Sequence, residues 1–230
     1  MDILRIAEQL EEQDAEALVN AVFRQYDGAV ACLTSSLQAE DMVVLHMLRQ
    51  QAPEIPVIFL DTGYHFAETY AYRDRMIREW SINFKNILPE TTVSQHEGLF
   101  GKQYLVEPTQ CCQTRKVAPL FRSLEAYDIW YTGLRREQSP TRANLKKIEE
   151  HKMGSGKVLQ KVSPLADWSW KQVWDYIMLH NIPYLPLYDS GYRSIGCEPC
   201  TQQSLDPNNP RAGRWGGKKL ECGIHTQPHS

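Results

Sequence analysis

The stretch GAVACLTSSLQAED, residues 28–41, decides the fold class of this chain. Its first six residues are apolar or small, as in a buried strand, and residues 38–50 follow with helical periodicity. A second unit begins at once, because the apolar run IPVIFL at 55–60 ends in the polar turn 61–63 and helical spacing follows over 66–80. Two successive strands that pass directly into helices indicate parallel strands joined by helical crossovers.

The same alternation continues along the chain. Apolar runs predict further strands at 84–88, 129–132 and 158–162, and helical spacing predicts helices near 3–23, 116–126 and 169–180. We therefore expect an α/β fold with an open, mostly parallel twisted sheet that carries helices on both faces. Proline and glycine are frequent after residue 181, which predicts an irregular, mobile C-terminal tail. The expected organisation is a helical segment over 1–26, an α/β domain over 27–205 and a tail over 206–230.

The composition argues against several classes of protein. With 230 residues, 42% of them apolar and 23% charged, the chain is long enough for one full hydrophobic core. A net charge of −3 argues against broad non-specific binding of nucleic acid. The sequence has no long apolar run, and its N-terminal segment MDILRIAEQLEEQ is acidic and amphipathic rather than a secretory signal. These features predict a cytoplasmic protein with neither nucleic acid nor membrane among its partners.

The turn after the first predicted strand is a candidate anion site. Hydroxyl and backbone N–H groups of Thr34, Ser35 and Ser36 would face the positive end of the following helix dipole, which suits a phosphate or sulfate. Taken alone, the same residues are also typical of an ordinary helix N-cap. The second strand exit, DTG at 61–63, favours the anion site, because adjacent strand ends of an open α/β sheet form the crevice where nucleotides bind.

Four of the six cysteines form two close pairs, Cys111-Cys112 and the Cys197-x-x-Cys200 motif. The second spacing lets two thiolates reach one metal ion, although a redox dithiol has the same spacing. Standing disulfides are rare in a reducing compartment, which favours metal ligation by all four thiols. Zinc and an iron–sulfur cluster both accept four thiolates, so the ligand type alone leaves the metal open. Cys32 lies inside an apolar strand and is expected to be a buried core residue.

The sixth cysteine, Cys222, stands apart in the stretch ECGIH, residues 221–225. A free thiol has a pKa of about 8.5 and is mostly protonated at neutral pH, so a nucleophilic role needs nearby cations. Glu221 acts in the wrong direction, whereas His225, Arg211 and Arg214 are placed to help as the tail folds over. The alternative is a disordered tail in which this cysteine has no chemical role.

Basic residues gather beside the cysteines and after a predicted strand. Lys116 follows the first cysteine pair, Arg135 and Arg142 follow the strand at 129–132, and Arg211 and Arg214 lie in the tail. Arginine suits bidentate contact with phosphate or sulfate, although any one of these side chains could equally be a solvated surface charge. Lys116 would also offset the negative charge of thiolates bound to a metal.

Taken together, these motifs resemble the assimilatory adenylyl-sulfate reductases, of the family that reduces adenosine 5′-phosphosulfate (APS) or 3′-phosphoadenosine 5′-phosphosulfate (PAPS). SSLQAED at 35–41 is similar to the family's modified pyrophosphatase (PP) loop, and LDTGYHF at 60–66 to its second strand exit. CCxxRKVxPL at 111–120, TGLRRxQS at 132–139 and ECGIH at 221–225 complete the resemblance. One departure is the pair Leu37-Gln38, which stands where many PP loops have small, glycine-rich residues.

The resemblance implies an adenine nucleotide alpha-hydrolase-like fold of the PP-loop type. Members with both cysteine pairs carry a [4Fe–4S] cluster and prefer APS, which implies a cluster held by Cys111, Cys112, Cys197 and Cys200. The other residues it implies, all for the substrate, are Ser35, Ser36, Leu60, Thr62, Lys116, Gly133, Arg135, Arg142, Arg211, Arg214 and His225.

The implied reaction belongs to sulfate assimilation. Cys222 would attack the sulfur of APS, release AMP and form an S-sulfocysteine, from which thioredoxin or glutaredoxin would release sulfite. The cluster would have a structural or electrostatic role and pass no electrons to the substrate. The implied enzyme is a homo-oligomer.

Three other functions fit parts of the pattern. The nearest is a reductase that prefers PAPS or accepts both nucleotides. A PP-loop sulfurtransferase or adenylating ligase would share the sheet, but the Cys222 tail argues against it. The third is a nucleotide-binding iron–sulfur or zinc regulator without enzymatic activity, in which Cys222 would be dispensable.

Overall fold

The computed structural model of this chain describes residues 10–206, 209–219 and 221–225. Within these residues six strands form one sheet: β1 Ala31–Thr34, β2 Val57–Leu60, β3 Phe84–Ile87, β4 Ile129–Tyr131, β5 Ile148–Lys152 and β6 Val158–Val162. Their spatial order is β3-β2-β1-β4-β6-β5, and every neighbouring pair is parallel except β5 and β6. The prediction of a mostly parallel α/β sheet is confirmed.

Helices connect the strands. They are α1 Ala15–Gln25, α2 Ala39–Arg49, α3 Ala67–Trp80, α4 Val93–Phe100, α5 Gln103–Val106, α6 Pro108–Cys112, α7 Ala118–Leu124 and α8 Trp170–Leu179, with a π-helical turn, Gln113–Val117, between α6 and α7. The helices predicted at 38–50, 66–80 and 169–180 agree with α2, α3 and α8. Part of the helical region predicted at 3–23 lies outside the described residues. No helix in the described part of the chain has the length and apolar character needed to cross a membrane.

Some elements were not predicted from the sequence. Strand β5 has the sequence IEEHK, and only Ile148 and His151 are buried in it. An antiparallel edge strand needs only one apolar face, so its apolar signal is weak. Helices α4 to α6 were also missed, although a capping box between Thr92 and Gln95 marks the start of α4.

The sheet has a hydrophobic core on each face because side chains of a strand point alternately to opposite sides. Leu33 and Phe59 belong to a core that includes buried residues of α1, α2, α3 and α8. Cys32, Ile58 and Trp130 belong to a second core that includes residues of α7. The prediction that Cys32 is a buried core residue is confirmed.

The division of the chain at residues 26 and 205 stays a prediction. Helix α1 contributes Leu18, Val19 and Val22 to the same core as the sheet. Beyond residue 181 the helices among the described residues are short 3₁₀ turns, at Pro186–Tyr188, Glu198–Cys200 and Trp215–Gly217, and isolated bridges pair Cys197 with His65 and Thr201 with Arg214.

The strand order places a crevice between β1 and β4. The chain moves from β1 to β2 and β3 on one side of the sheet, and returns to β4 on the other side of β1. Connections that leave neighbouring parallel strands in opposite directions open a cleft at the carboxyl ends of those strands. The loops that follow β1 and β4 therefore border the same cleft.

Candidate active site

A cavity of about 400 Å³ lies at the carboxyl ends of β1, β2 and β4. The C-terminal tail completes its wall. Every substrate residue implied by the resemblance lines it except Thr62, and so does the predicted nucleophile: Ser35, Ser36, Leu60, Lys116, Gly133, Arg135, Arg142, Arg211, Arg214, Cys222 and His225. The fold thus brings together residues from widely separated parts of the sequence.

The loop after β1 is closed by a carboxylate from the first turn of α2. Asp41 Oδ2 accepts hydrogen bonds from the backbone N–H of Ser36 at 2.7 Å and from its hydroxyl at 2.9 Å. Gln38 donates to the same hydroxyl and accepts from the backbone N–H of Ile195. Burial raises the pKa of Asp41 to about 6. The Ser36 donor that the sequence suggested for an anion is therefore already bound by Asp41.

Leu37 stands where a glycine would be expected in this loop. Its φ is +63°, a region that favours glycine, and its side chain is fully buried. The Leu37 N–H donates to the Ser35 hydroxyl at 3.0 Å. Packing of the leucine side chain holds a backbone conformation that a glycine-rich loop would adopt without strain.

Gly133 follows β4 and lies against the start of α2. A Cβ atom added to Gly133 would lie 2.9 Å from the backbone nitrogen of Asp41. Such a contact is too close for a side chain, so the two loops can approach each other only with glycine here.

Arg135 lines the cavity, but its guanidinium is bound by the protein. It donates to Glu40 from Nε at 3.1 Å and from Nη2 at 2.9 Å, and from Nη1 to Glu137 at 2.7 Å. The Arg135 and Glu40 side chains are only 4% and 7% exposed. Arg135 therefore fixes the first turn of α2, and the charge it brings to this end of the cavity is paired.

The part of the cavity wall around Cys222 is basic. Lys116, Arg211 and Arg214 line the cavity, and each interacts electrostatically with Cys222. Arg214 donates to the Ser194 hydroxyl at 3.2 Å and lies over the ring of Trp215, 4.6 Å from its centre. Such a stacked guanidinium is held in a fixed orientation toward the cavity.

Lys116 is buried among cysteines that favour its charged form. Burial acts to lower its pKa, but Cys197, Cys112 and Cys222 outweigh burial, and the pKa of Lys116 is raised. Lys116 lines both this cavity and the cysteine cavity described below. One cation therefore faces both Cys222 and the cavity of the four paired cysteines.

The nucleophile candidate and its histidine differ in environment. Cys222 is half-buried and packs beside Cys112, Cys197 and Cys200. His225 stacks on Trp130 with 5.5 Å between ring centres, and burial lowers its pKa well below the usual range. The His225 imidazole is therefore neutral and does not supply the positive charge that the sequence suggested.

Glu221, next to Cys222, is neutralised by arginine. Its carboxylate accepts from Arg142 Nη2 at 2.7 Å and lies 3.4 Å from Arg211 Nη2. Burial acts to raise the pKa of Glu221, but the bonds from Arg142 outweigh it and lower that pKa. Burial lowers the pKa of Arg211 to about 10, so this side chain remains charged at neutral pH. The unfavourable charge that the sequence places beside Cys222 is offset by these pairs.

The four paired cysteines line a second, smaller cavity that adjoins the first. All four are free thiols. Burial raises the pKa of Cys111 to about 12 and that of Cys200 to about 11. At Cys197 burial acts in the same direction, but Lys116 outweighs it and lowers the pKa. Among the described residues, no three His, Cys, Asp or Glu side chains are grouped to hold a single metal ion.

Thr62 belongs to this second cavity rather than to the first. Its hydroxyl lies 3.2 Å from the sulfur of Cys197. Its backbone carbonyl accepts a hydrogen bond at 2.9 Å from the buried guanidinium of Arg115, which also donates to the Thr91 carbonyl. Arg115 lies in the π-helical turn after Cys112; the sequence marks it, in the CCxxRK motif, as one of the basic residues suited to an anion, but it was not among the predicted substrate residues.

Other residues of the first cavity were also missed. Gln138 donates to Glu40 and accepts from the backbone of Arg135, so it joins the loops after β1 and β4. Its only sequence signal is its place in the motif TGLRRxQS. Residues 193–196 also line the cavity, and nothing in their composition marked them as site residues.

The family model described as the phosphoadenosine phosphosulfate reductase domain matches residues 31–203. The chain belongs to the phosphoadenosine phosphosulfate reductase family. The family predicted from the motifs is thus confirmed, and members resemble this chain over nearly its whole length.

Adenosine 5′-phosphosulfate reductase of Bacillus cereus is 42% identical over 233 residues, which cover 98% of this chain and 96% of the relative. The reductase of the same name from Halalkalibacterium halodurans is 37% identical and covers 98% and 97%.

Solved structures show the same fold. Phosphoadenylyl-sulfate reductase from Candida auris, in a phosphate complex, matches with a TM-score of 0.74 and 24% identity over 87% of this chain and 96% of that one. The U34-tRNA thiolase NcsA from Methanococcus maripaludis, with its [4Fe–4S] cluster, matches with a TM-score of 0.52 and 14% identity over 74% and 64%. At these identities the likeness concerns the fold alone.

Proposed function

We propose that this family member reduces APS to sulfite and AMP in sulfate assimilation, with Cys222 as nucleophile. The observation that carries the proposal is the position of Cys222, which opens onto the same cavity as the strand-end loops Ser35-Ser36 and Gly133. The names of the relatives from Bacillus cereus and Halalkalibacterium halodurans support APS as the substrate.

The charges of the cavity orient the nucleotide. Lys116, Arg211 and Arg214 form the basic end around Cys222, whereas Glu40 and Asp41 lie in the first turn of α2, directly after the loop that follows β1. The phosphosulfate is anionic and binds at the basic end. The ribose and adenine then lie toward the strand ends, as expected for a nucleotide in this type of sheet.

In the first half-reaction the Cys222 thiolate attacks the sulfur of APS. The new bond joins Sγ to that sulfur, the bond from sulfur to the bridging oxygen breaks, and AMP leaves with the electron pair. Arg214 and Lys116 stabilise the charge that develops on the leaving phosphate. The neutral His225 imidazole offers a hydrogen-bonding group beside the sulfonate.

In the second half-reaction a dithiol protein, thioredoxin or glutaredoxin, attacks Sγ of the S-sulfocysteine. Sulfite leaves with the electron pair of the sulfur–sulfur bond, and a mixed disulfide forms. The second thiol of the donor then releases the Cys222 thiol, so the donor supplies two electrons and becomes a disulfide.

A [4Fe–4S] cluster fits the donor set of the second cavity. A single zinc ion would hold its four sulfurs about 2.3 Å from one point, and no such grouping exists among the described side chains. Four thiols around a shared space, with Lys116 to offset their charge, suit the larger cluster. Cys111, Cys112, Cys197 and Cys200 would hold it, and when bound it would supply structural support and a negative charge facing Lys116.

The cavity favours APS over PAPS, its nearest rival. At the end formed by the loop after β1, Arg135 is already paired with Glu40 and Glu137. Asp41 adds a carboxylate there. A further phosphate on the ribose would therefore meet acidic groups without gaining Arg135 as a partner.

The proposal extends to the surroundings of the enzyme. We place it in the cytoplasm as a homo-oligomer whose partners are APS, AMP and the dithiol donor. Neither nucleic acid nor a membrane is among these proposed partners.

The test of the proposal compares the wild-type protein with Cys222→Ser. With APS, thioredoxin, thioredoxin reductase and NADPH, we expect the wild type to release sulfite and AMP in equal amounts, and the variant to release neither. Without the dithiol donor, intact-mass analysis of the wild type should show one added SO₃ group on Cys222. Sulfite formation by the variant would contradict the proposal. ATP-dependent AMP formation without sulfite would favour a sulfurtransferase or ligase, and faster turnover of PAPS would favour the rival reductase.

A further inference from the structure

The carboxylate of Glu221 is held from several sides in a site that joins the tail to the loop after β4. Arg142 donates to it twice, from Nε to Oε1 at 3.0 Å and from Nη2 to Oε2 at 2.7 Å. The Thr141 hydroxyl donates to Oε1 at 3.0 Å, and Arg211 Nη2 lies 3.4 Å from Oε2. This arrangement is the bidentate pairing that guanidinium and carboxylate groups form best.

Arg142 is itself fixed to the body of the protein. Its remaining nitrogen, Nη1, donates to the side-chain oxygen of Gln138. Gln138 in turn donates to Glu40 at 3.0 Å, in the first turn of α2. Each nitrogen of the Arg142 guanidinium thus donates to a protein oxygen, and the Arg142 and Glu221 side chains are only 9% and 10% exposed. Little of this guanidinium is left to reach a substrate.

The tail is attached on both sides of Cys222. Before it, Lys218 and Lys219 donate to the backbone carbonyls of Leu105 and Pro108. After it, Ile224 packs against the second core of the sheet. The Glu221 pair is a charged contact between these attachments, and it lies one residue from the thiol.

We propose that Glu221 is a positioning residue, which docks the Cys222 segment onto Arg142 so that the thiol faces the cavity. Arg142 is then an anchor for the tail and not a ligand of the phosphosulfate. Loss of this pair then loosens the Cys222 segment between its other attachments and makes the thiol more accessible to the dithiol donor. The catalytic consequence rests on the proposed function, but the docking itself does not.

The variants that test the anchor are Glu221→Gln, Arg142→Gln, Arg142→Lys and the double variant Glu221→Gln/Arg142→Gln. Arg142→Lys keeps the charge but loses the planar fork, so it separates bidentate geometry from charge. The control is Glu90→Gln, which breaks the exposed pair of Glu90 with Arg122.

The first measurement is the rate of trypsin cleavage after Lys219, with and without AMP. Loss of the pair should increase this rate about tenfold or more, because cleavage follows local opening of the tail. We expect the same increase for Glu221→Gln, Arg142→Gln, Arg142→Lys and the double variant, and none for Glu90→Gln. Wild-type rates in Glu221→Gln would overturn the proposal. Because this measurement needs no turnover, it decides the docking even if the protein proves inactive on APS.

The second measurement is the dissociation constant of AMP. If the Arg142–Glu221 pair is an anchor, the AMP dissociation constants of Arg142→Gln and Glu221→Gln should lie within about threefold of the wild-type value, since neither side chain would touch the nucleotide. In the alternative, Arg142 binds the phosphate, and Glu221 occupies the phosphate position when no nucleotide is bound. Arg142→Gln would then weaken AMP binding at least about tenfold, and Glu221→Gln would strengthen it. That pattern would overturn the proposal.

The third measurement is steady-state kinetics with APS. We expect kcat to fall about tenfold or more in each single variant while KM changes by less than about threefold, because the thiol is misplaced and the binding site is intact. The double variant should be no worse than the single ones, since both substitutions break the same contact. Additive losses would show that the two residues act separately and would overturn the proposal.

Discussion

The Thr62 hydroxyl lies 3.2 Å from the sulfur of Cys197, a residue 135 positions later in the chain. This contact joins the exit of β2 to the second cysteine pair. The same hydroxyl accepts a hydrogen bond from the backbone N–H of Tyr64, which fixes the turn. The loop that the sequence assigned to the nucleotide therefore serves the cysteine cavity as well.

Thr62→Val should weaken the hold of the protein on the proposed cluster. Valine has the shape of threonine but cannot bond to sulfur, and one such hydrogen bond contributes about 1 kcal/mol. We expect the visible absorbance of the purified protein to decay about fivefold faster in the presence of a chelator. Thr62→Ser keeps the hydroxyl and should decay at the wild-type rate. Equal decay in all three proteins would show that this contact has no such role.

Substitution of the paired cysteines should remove iron, and substitution of the tail cysteine should not. We expect about four irons per chain in the anaerobically purified wild type, the same content in Cys222→Ser, and a large loss in Cys197→Ser. The reason is that Cys197 lines the second cavity among three other thiols, whereas Cys222 opens onto the first. Iron, zinc and acid-labile sulfide are measured together. A colourless wild type with one zinc per chain would contradict the cluster.

Much of the architecture could be predicted from the sequence because its central strands are buried on both faces. Runs such as residues 55–60 are almost continuously apolar, and a short run of this kind between polar turns is typical of a strand covered by helices on both sides. The edge strand β5 has no such signal, since charged residues occupy three of its positions. Short helices such as α5 carry too few residues for a period to be recognised.

The sequence predicted which residues belong to the site better than it predicted which of them bind one another. The motifs identified the cavity residues, but the sequence could not show that Asp41 would bind Ser36 or that Glu221 would bind Arg142. Both pairings depend on how separate loops approach one another in three dimensions. A buried charge is costly unless it is paired, and its partner can come from any part of the sequence that the fold brings close.

Gly133→Ala should destabilise the protein and weaken AMP binding. The new Cβ would meet the backbone nitrogen of Asp41 at 2.9 Å, so the loop after β4 or the start of α2 must move. Overpacking of this kind costs about 1–3 kcal/mol. Gly98→Ala is the matched control, because Gly98 lies in helix α4 with open space around its Cα. It should raise the free energy of unfolding by up to about 1 kcal/mol. Equal effects of the two substitutions would contradict the close approach.

Asp41→Asn should change the pH dependence of stability. Burial raises the pKa of Asp41 from its ordinary 3.8 to about 6 in the folded protein. Between these two values the folded state holds a proton that the unfolded state has lost, so the wild type loses stability as the pH rises. Asparagine has no proton to lose and can still accept from the Ser36 N–H. The quantity to compare is the difference in free energy of unfolding between the variant and the wild type. We expect this difference to shift in favour of the variant by on the order of 2 kcal/mol between about pH 4 and about pH 7, because one pKa unit corresponds to about 1.4 kcal/mol. Urea unfolding at several pH values measures this difference. Parallel curves of unfolding free energy against pH for the two proteins would show that ionisation of Asp41 costs the folded protein no stability. The loop after β1 would then present a different charge to the nucleotide.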